Sequence, residues 1–314
     1  MKTFTFIVIW ITNLVAGVSM TNAQTTNIQL AERLGYSADA KLLIIHTDDV
    51  GLAHSVNQAS FTSFKIGIVN SGSIMVPCPW FAEAASLAKQ NPNTDLGIHL
   101  TLTAEWKNYR WGGVTSAVSI QSLLDRKRFL HPDVPDVVAN ADINEVEKEC
   151  RAQIERAIAF GIKPTHFDTH MGTLFGSPEF TQIYLKLGKE YNIPVFLPRE
   201  SIKETRPEML PMLEKEGFIL VDRYYMAEPN VKAEQWEEYY VNLIKNLKSG
   251  VTQIIIHVGL DTDELRAVMV DHPDYGSQWR QRDFDVFNSE KIKDVIKEND
   301  VRLINWREIG QLLK

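Results

Sequence analysis

The chain has 314 residues, 44% hydrophobic and 23% charged, which is a globular balance with enough length for one large barrel or two smaller domains. A formal net charge of −7 leaves no basic footprint and argues against a nucleic-acid or anionic-membrane binder. Only two cysteines, Cys78 and Cys150, are present, which excludes a disulfide framework.

In chain order, the first element is an address rather than a fold. Lys2 is followed by an apolar run from Phe4 to Val18 and then by polar Thr21-Asn22 and the small Ala23. A charged start, an apolar middle and a small residue for cleavage predict a secretory signal peptide over residues 1–23, cut after Ala23. The run is short for a spanning helix and is broken by Asn13. No cysteine lies near the cut to carry a lipid. We expect an exported protein, periplasmic or secreted, with no stable membrane insertion after cleavage. Residues 24–314 read as a single domain.

Strand and helix patterns then alternate. "KLLIIHTDD" reads as a buried strand and "HSVNQASFTSFKIG" as a helix; "VNSGSIMVP" and "WFAEAASLAKQN" repeat the pair. "DLGIHLTLT" is a strand, followed by an irregular stretch from Ala104 to Ala117 and a helix from Asn144 to Phe160 that Gly161 ends. "KPTHFDTH", "IPVFLP", "FILVD", "VTQIIIHVG" and "VRLIN" read as the later strands, with helical segments between them. Alternation of this kind means a parallel sheet with helical crossovers, and about eight strands in one run suit a (β/α) barrel better than an open doubly wound sheet. No Gly-rich dinucleotide fingerprint or phosphate loop is present.

The strand ends carry the chemistry. The first finishes in Asp48-Asp49, the third holds His99, the fourth holds His166, Asp168 and His170, and the seventh finishes in His257. In a parallel barrel the C-terminal strand ends meet at one face, where active sites are built. Side chains alternate along a strand, so His166, Asp168 and His170 share a direction, and His99 opposes the apolar Ile98 and Leu100. A lone histidine or aspartate has ordinary explanations as a core hydrogen-bonder or a helix cap. Several strand ends delivering such residues to one face predict a site for one divalent metal ion. A cation would also relieve the repulsion between Asp48 and Asp49, with one of them a ligand and the other free to act as a base.

At these motifs the chain resembles the YdjC-like carbohydrate deacetylase family, which includes chito-oligosaccharide deacetylases. The residues that carry the resemblance are "HTDDVGL", "LGIHLTLT", "KPTHFDTHMGTLF", "IIIHVGLDTDELRA", "RQRDFDVFNSEKIKDVI" and "VRLINWREI", running from about Lys41 to the C-terminus. The resemblance implies a distorted (β/α) barrel of seven or eight parallel strands. It also implies one divalent metal, Zn2+ or Mg2+, and hydrolysis of an N-acetyl group from a sugar or chito-oligosaccharide, releasing acetate. Carried over by position, it makes Asp49, His99 and His170 the metal ligands and Asp48 the catalytic base. The chain departs from the family pattern at His46, usually Asn; at Val50, usually Phe; at Met171-Gly172, where histidines often continue; and at Val258, usually Pro.

Hydrolysis of an amide also needs a proton for the departing amine, and His257 is the candidate acid. His166 and Asp168 are expected either to orient the ligands or to contact the sugar. Substrate contacts are expected from two loops, one with Trp106, Tyr109 and Trp111, the other running from Leu260 to Phe287 with Tyr275, Trp279 and Arg282. Cys78 has no identifiable partner base and is not expected to act as a nucleophile. Two rival functions fit the same residues less well: another single-metal hydrolase, and a non-catalytic carbohydrate-binding protein of the cell envelope.

Overall fold

Ten consecutive residues, Lys41–Val50, form strand β1, and the apolar run Leu42–Ile45 within it is fully buried. A run that is apolar on both sides is what a strand covered on both faces requires. The computed structural model describes residues 29–313, so the expected signal peptide lies outside the described residues. The remaining strands are β2 (Ser71–Ile74), β3 (Leu96–Leu100), β4 (Phe167–Thr169), β5 (Arg223–Tyr225), β6 (Gly250–Ile256) and β7 (Val301–Leu303). All pairings among them are parallel, in the order β4-β3-β2-β1-β6-β5. β7 joins β1 at Lys41–Leu43, below the point where β2 takes over the same edge at His46.

The sheet curls into a half-barrel, and irregular backbone spans its open side. Phe196 N–H donates to Phe167 O (2.8 Å) and Val221 N–H to Leu197 O (3.1 Å), so residues 194–199 lie between β4 and the approach to β5. The expected distorted (β/α) barrel in a single α/β domain is therefore the fold. "IPVFLP" is not a full strand, however. Pro194 and Pro198 have no N–H to give a ladder, and only isolated bridges at Val195 and Pro198 remain. The sixth expected strand, "FILVD", is displaced to Arg223–Tyr225.

Helices close the outside. Ile143–Ala159 begins where the Asp142 side chain accepts from Asn144 and Glu145 N–H, and it buries Val146, Cys150, Ile154 and Ala157, one face at helical spacing. Gly161, at φ 89, supplies the left-handed turn beyond it. The segment from Leu260 to Phe287 is not the loop expected from the sequence: it holds helices Asp263–Val268 and Ser277–Phe287. Cys78 and Cys150 are both free and buried. Among the described residues no helix is long and apolar enough to cross a membrane.

Inside the curled sheet a polar column replaces the usual aliphatic filling. At its base the His166 ring stacks on Trp306 (centroids 4.9 Å apart, planes at 21°), whose Nε1–H donates to Gln253 Oε1 at 2.9 Å. The imidazole fits because β3 has glycine beside it: a Cβ on Gly97 would meet His166 Cε1 and Nε2 at 2.5 Å. Gly97→Ala is therefore expected to cost about 1–3 kcal/mol through overpacking. This would appear as a lower denaturant midpoint at unchanged slope; an unaltered midpoint contradicts the packing argument.

Candidate active site

Strict alternation along β1 would send Asp48 and Asp49 to opposite faces. It does not, because the pairing register of β1 with β2 shifts between Thr47 and Val50 and Asp49 takes a left-handed backbone at φ 67. Aspartate tolerates that region better than most residues, and it is a conformation held at functional sites at a cost of about 1–3 kcal/mol. Both carboxylates consequently line one cavity of about 740 Å3 at the C-terminal face of the sheet, together with His99, Glu105, Asp168, His170 and His257.

Asp49 Oδ1, His99 Nε2 and His170 Nδ1 form a triangle with edges of 3.5, 3.4 and 3.3 Å. Each of these side chains is backed from behind. Arg280 Nη2 donates to Asp49 Oδ2 at 2.6 Å, and Asp49 Oδ1 has no hydrogen-bond partner. His99 Nδ1–H donates to Asp168 Oδ1 at 2.8 Å, and His170 Nε2–H to Glu105 at 3.1 Å, which turns the remaining ring lone pairs toward the triangle. Two imidazoles, each with a carboxylate on its far nitrogen, and one free carboxylate oxygen are the donor set and the outer support of a divalent ion. Donors about 2.0–2.1 Å from a shared ion in tetrahedral arrangement would be spaced much as these are. The residues present therefore fit a metal ion.

The electrostatics agree. Burial works to raise the Asp49 carboxyl, but Arg280 and His170 hold it well below its ordinary value. Burial works to lower the His170 imidazole, and Glu105 and Asp49 override it, pushing the group up to about 10. The pocket's field thus favours positive charge at this point. His46 sits beneath, fully buried, with Nε2 3.1 Å from Asp48 Oδ1 and 3.0 Å from Asp168 Oδ2. Burial opposes its charged form, yet Asp168 and Asp48 raise it to about 9. Asp48 is therefore held beside a cationic imidazole on one side. On the other its Oδ2 lies 3.8 Å from His257 Nε2. Burial lowers His257 to about 4 and keeps it a neutral imidazole at neutral pH.

The structure brings together Asp48, Asp49, His99, His170, His257 and Asp168, as the strand-end argument expects. His166 is one layer too deep: it does not line the cavity, and burial holds it neutral against Trp306. Trp106 lines the cavity, its ring edge-on to His272 at 4.5 Å, and so does Tyr275, whose ring lies 5.1 Å from His257. Trp279 and Arg282 do not line it. Trp279 is buried between Trp236 and Tyr275, and the Arg282 guanidinium lies over the Trp236 ring at 4.6 Å. Tyr109 donates to Leu52 O at 2.7 Å and packs edge-on with the buried Trp111, which pins the loop in place. Burial pushes the Cys78 thiol well up, consistent with an inert residue.

The sequence marks His46 only as a departure from the family pattern and does not single out Glu105, Arg280 or Asp283. For two of them a signal existed. Along Ser277–Phe287 the buried stripe is Trp279, Arg280, Asp283, Val286 and Phe287, spaced as one helical face; Arg280 lies on that stripe and Arg282 does not. Asp283 anchors the stripe, accepting from His257 N–H (2.9 Å), Trp236 Nε1 (2.8 Å) and Tyr240 OH (3.1 Å). Glu105 reaches His170 across sixty-five positions of sequence, and no local pattern reports such a pairing.

A curled parallel α/β sheet that gathers aspartates and histidines at its C-terminal rim defines the class as a hydrolase-like (β/α) barrel with a metal-type donor set. The chain belongs to the YdjC-like family: the family model described as YdjC-like protein matches residues 42–298. It is 30% identical over 293 residues to a carbohydrate deacetylase of Thermus thermophilus, covering 91% of this chain and 100% of the relative. It is 28% identical over 270 residues to a carbohydrate deacetylase of Brevibacillus brevis, covering 85% and 99%. A crystal structure from Enterococcus faecalis, of a proposed cellobiose-phosphate cleavage protein, superposes with a TM-score of 0.72 at 22% identity, covering 86% of this chain and 99% of that one; this likeness concerns the fold alone.

The support behind the donor triangle is open to test. Asp168→Asn keeps the size of the side chain and removes the charge behind His99. It is expected to weaken divalent-ion binding about 10- to 100-fold, as measured by metal titration of the purified protein. An unchanged affinity would mean that Asp168 does not orient a ligand.

Proposed function

We propose that the protein is a metal-dependent carbohydrate deacetylase that hydrolyses the N-acetyl group of an acetylated amino sugar or chito-oligosaccharide and releases acetate. The observation that carries this reading is the donor triangle of Asp49, His99 and His170 with a second, separately held carboxylate, Asp48, opening into the same cavity. The carbohydrate deacetylases among its relatives support the same substrate class. Asp49, His99 and His170 would hold one divalent ion; two histidines and a carboxylate suit Zn2+, and Mg2+ is the alternative. Such an ion supplies Lewis-acid polarisation of the acetyl carbonyl and makes water a stronger acid.

The chain's own residues supply the proton transfers. Asp48, with His46 Nε2 3.1 Å from its Oδ1, accepts the proton of the attacking water at Oδ2. His257, a neutral imidazole 3.8 Å from that oxygen, cannot bring a proton of its own from solvent at neutral pH. It receives the proton released by the water and passes it to the nitrogen as the C–N bond breaks. The products are acetate and the free amine, so the protons balance without an outside donor. His99 and His170 stay oriented by Asp168 and Glu105, and Arg280 keeps Asp49 from rotating. Export belongs to the same proposal, on the strength of the signal-like opening of residues 1–23.

The test uses the mature protein recovered after export, with its N-terminus sequenced. It is expected to begin near Gln24 and to release acetate from N-acetylated chito-oligosaccharides. A chelator should abolish the activity and added divalent ion should restore it. No acetate release at saturating metal would contradict the deacetylase reading; release indifferent to chelator would contradict the metal; an N-terminus still at Met1 would contradict export.

A further inference from the structure

The cavity has two chemically different ends. Near Asp48 and Asp49 it is lined by charged and imidazole groups. A second part of the wall is built from the irregular closing segment and its neighbours, and there the lining is Phe175, Leu197, Ile202, Met209 and Met226, with Met171 at the rim next to His170. The few polar groups on this side offer little. The Arg206 guanidinium donates to Phe175 O at 2.7 Å and to Thr181 Oγ1 at 3.3 Å, and the Thr205 hydroxyl donates to Ser201 O at 2.7 Å. The Ser201 and Tyr224 hydroxyls are the other polar groups of this wall, too few for the several hydroxyls of a sugar ring. A sugar ring buried here would leave hydroxyls without partners, each at a cost. Thioethers and alkyl groups instead form an adaptable apolar surface.

Met171 adds a second, independent observation. It follows His170 directly, takes a left-handed backbone at φ 52 and is 48% exposed at the cavity rim. The Met171 sulfur accepts from the Thr103 hydroxyl at 3.4 Å, which fixes the side chain at the rim, and its half-exposed place beside the donor triangle suits contact with a substrate.

We infer that the substrate is an acetamido sugar or acylamino sugar bearing an apolar group, alkyl or aryl, close to the scissile amide, and that this group occupies the methionine-lined wall. The inference rests on the deacetylase reading and narrows its substrate class. The apolar group has two possible sources, the aglycone of the sugar or an acyl chain longer than acetyl. A pocket of about 740 Å3 is of the size that encloses whole small-molecule ligands and accommodates either.

The experiment compares kcat/KM for the methyl glycoside of N-acetylglucosamine with that for its hexyl glycoside and for the N-hexanoyl methyl glycoside, using the metal-loaded protein. At least one hexyl-bearing substrate is expected to be preferred about tenfold or more, the discrimination that one or two buried methylenes can give. Which one is preferred identifies the source. The preference ratio should fall toward one in Ile202→Ser and in Met209→Ser; using two separate variants guards against a folding defect in one. A wild-type ratio near one, or a preference surviving in both folded variants, overturns the inference while leaving deacetylation intact. Absence of turnover on all three substrates and on chito-oligosaccharides overturns the deacetylase reading, and the inference with it.

Discussion

Two adjacent aspartates forced into one cavity are the constraint on which the remaining architecture depends. A regular strand would separate Asp48 and Asp49; the register shift in β1 and the left-handed backbone of Asp49 bring them together. Uncompensated, two buried carboxylates at that distance would protonate or open the site. The protein answers with positive charge from two directions. Arg280 arrives from the helix Ser277–Phe287 to hold Asp49, and His46 lies under Asp48. Each aspartate thereby has its own positive neighbour, and one oxygen of Asp49 is left facing two imidazole nitrogens.

That arrangement explains much of the interior. Asp168 is shared between His46 and His99, so one carboxylate links the imidazole under Asp48 to an imidazole of the donor triangle. Ser71 carries the network downward, bonding His46 Nδ1 at 2.9 Å and donating to Asp95 at 2.7 Å, where Thr165 and Arg307 N–H also converge. Satisfied bonds in such a column stabilise it, and the atoms left without a hydrogen-bond partner, Asp48 Oδ1, Asp49 Oδ1, His166 Nε2 and Gln253 Nε2, include the two carboxylate oxygens at the cavity. The aliphatic core is displaced outward, between the sheet and the helices, where Ile98, Leu100, Cys150 and Ile154 join one cluster. The irregular closing segment 194–199 matters for the same reason: with no full strand there, the wall of the cavity is free to be apolar and uneven.

Much of this was legible in the sequence, and the limits are physical. Long apolar runs gave β1 and β6, and helical spacing gave Ile143–Ala159 within about two residues. The strand-end rule brought Asp48, Asp49, His99 and His170 to one rim because it depends only on parallel topology. Alternation also sets His166 on the same side, but one layer below the rim, beside Asp168 rather than at the cavity. Read as a loop, the segment from Leu260 to Phe287 offers Trp279 and Arg282 equally with Arg280; as the helix Ser277–Phe287 it places Arg280 and Arg282 on different faces. At "IPVFLP" the β-rich residues favour a strand, but Pro194 and Pro198 remove two ladder donors and the strand does not form. The bulge at Asp49 left no local mark, since aspartate at positive φ reads like any other aspartate.

The central claim is a division of labour between neighbours: Asp49 holds the metal and Asp48 moves the proton. It is tested most directly by measuring kcat and bound metal together for Asp48→Asn across a titration of the activating ion. The account predicts a loss of about 10²–10⁴-fold in kcat, the usual worth of a positioned general base, with metal content close to that of the unaltered protein. Recovery of the rate at saturating metal would contradict it, because Asp48 would then be supporting the ion rather than accepting the proton.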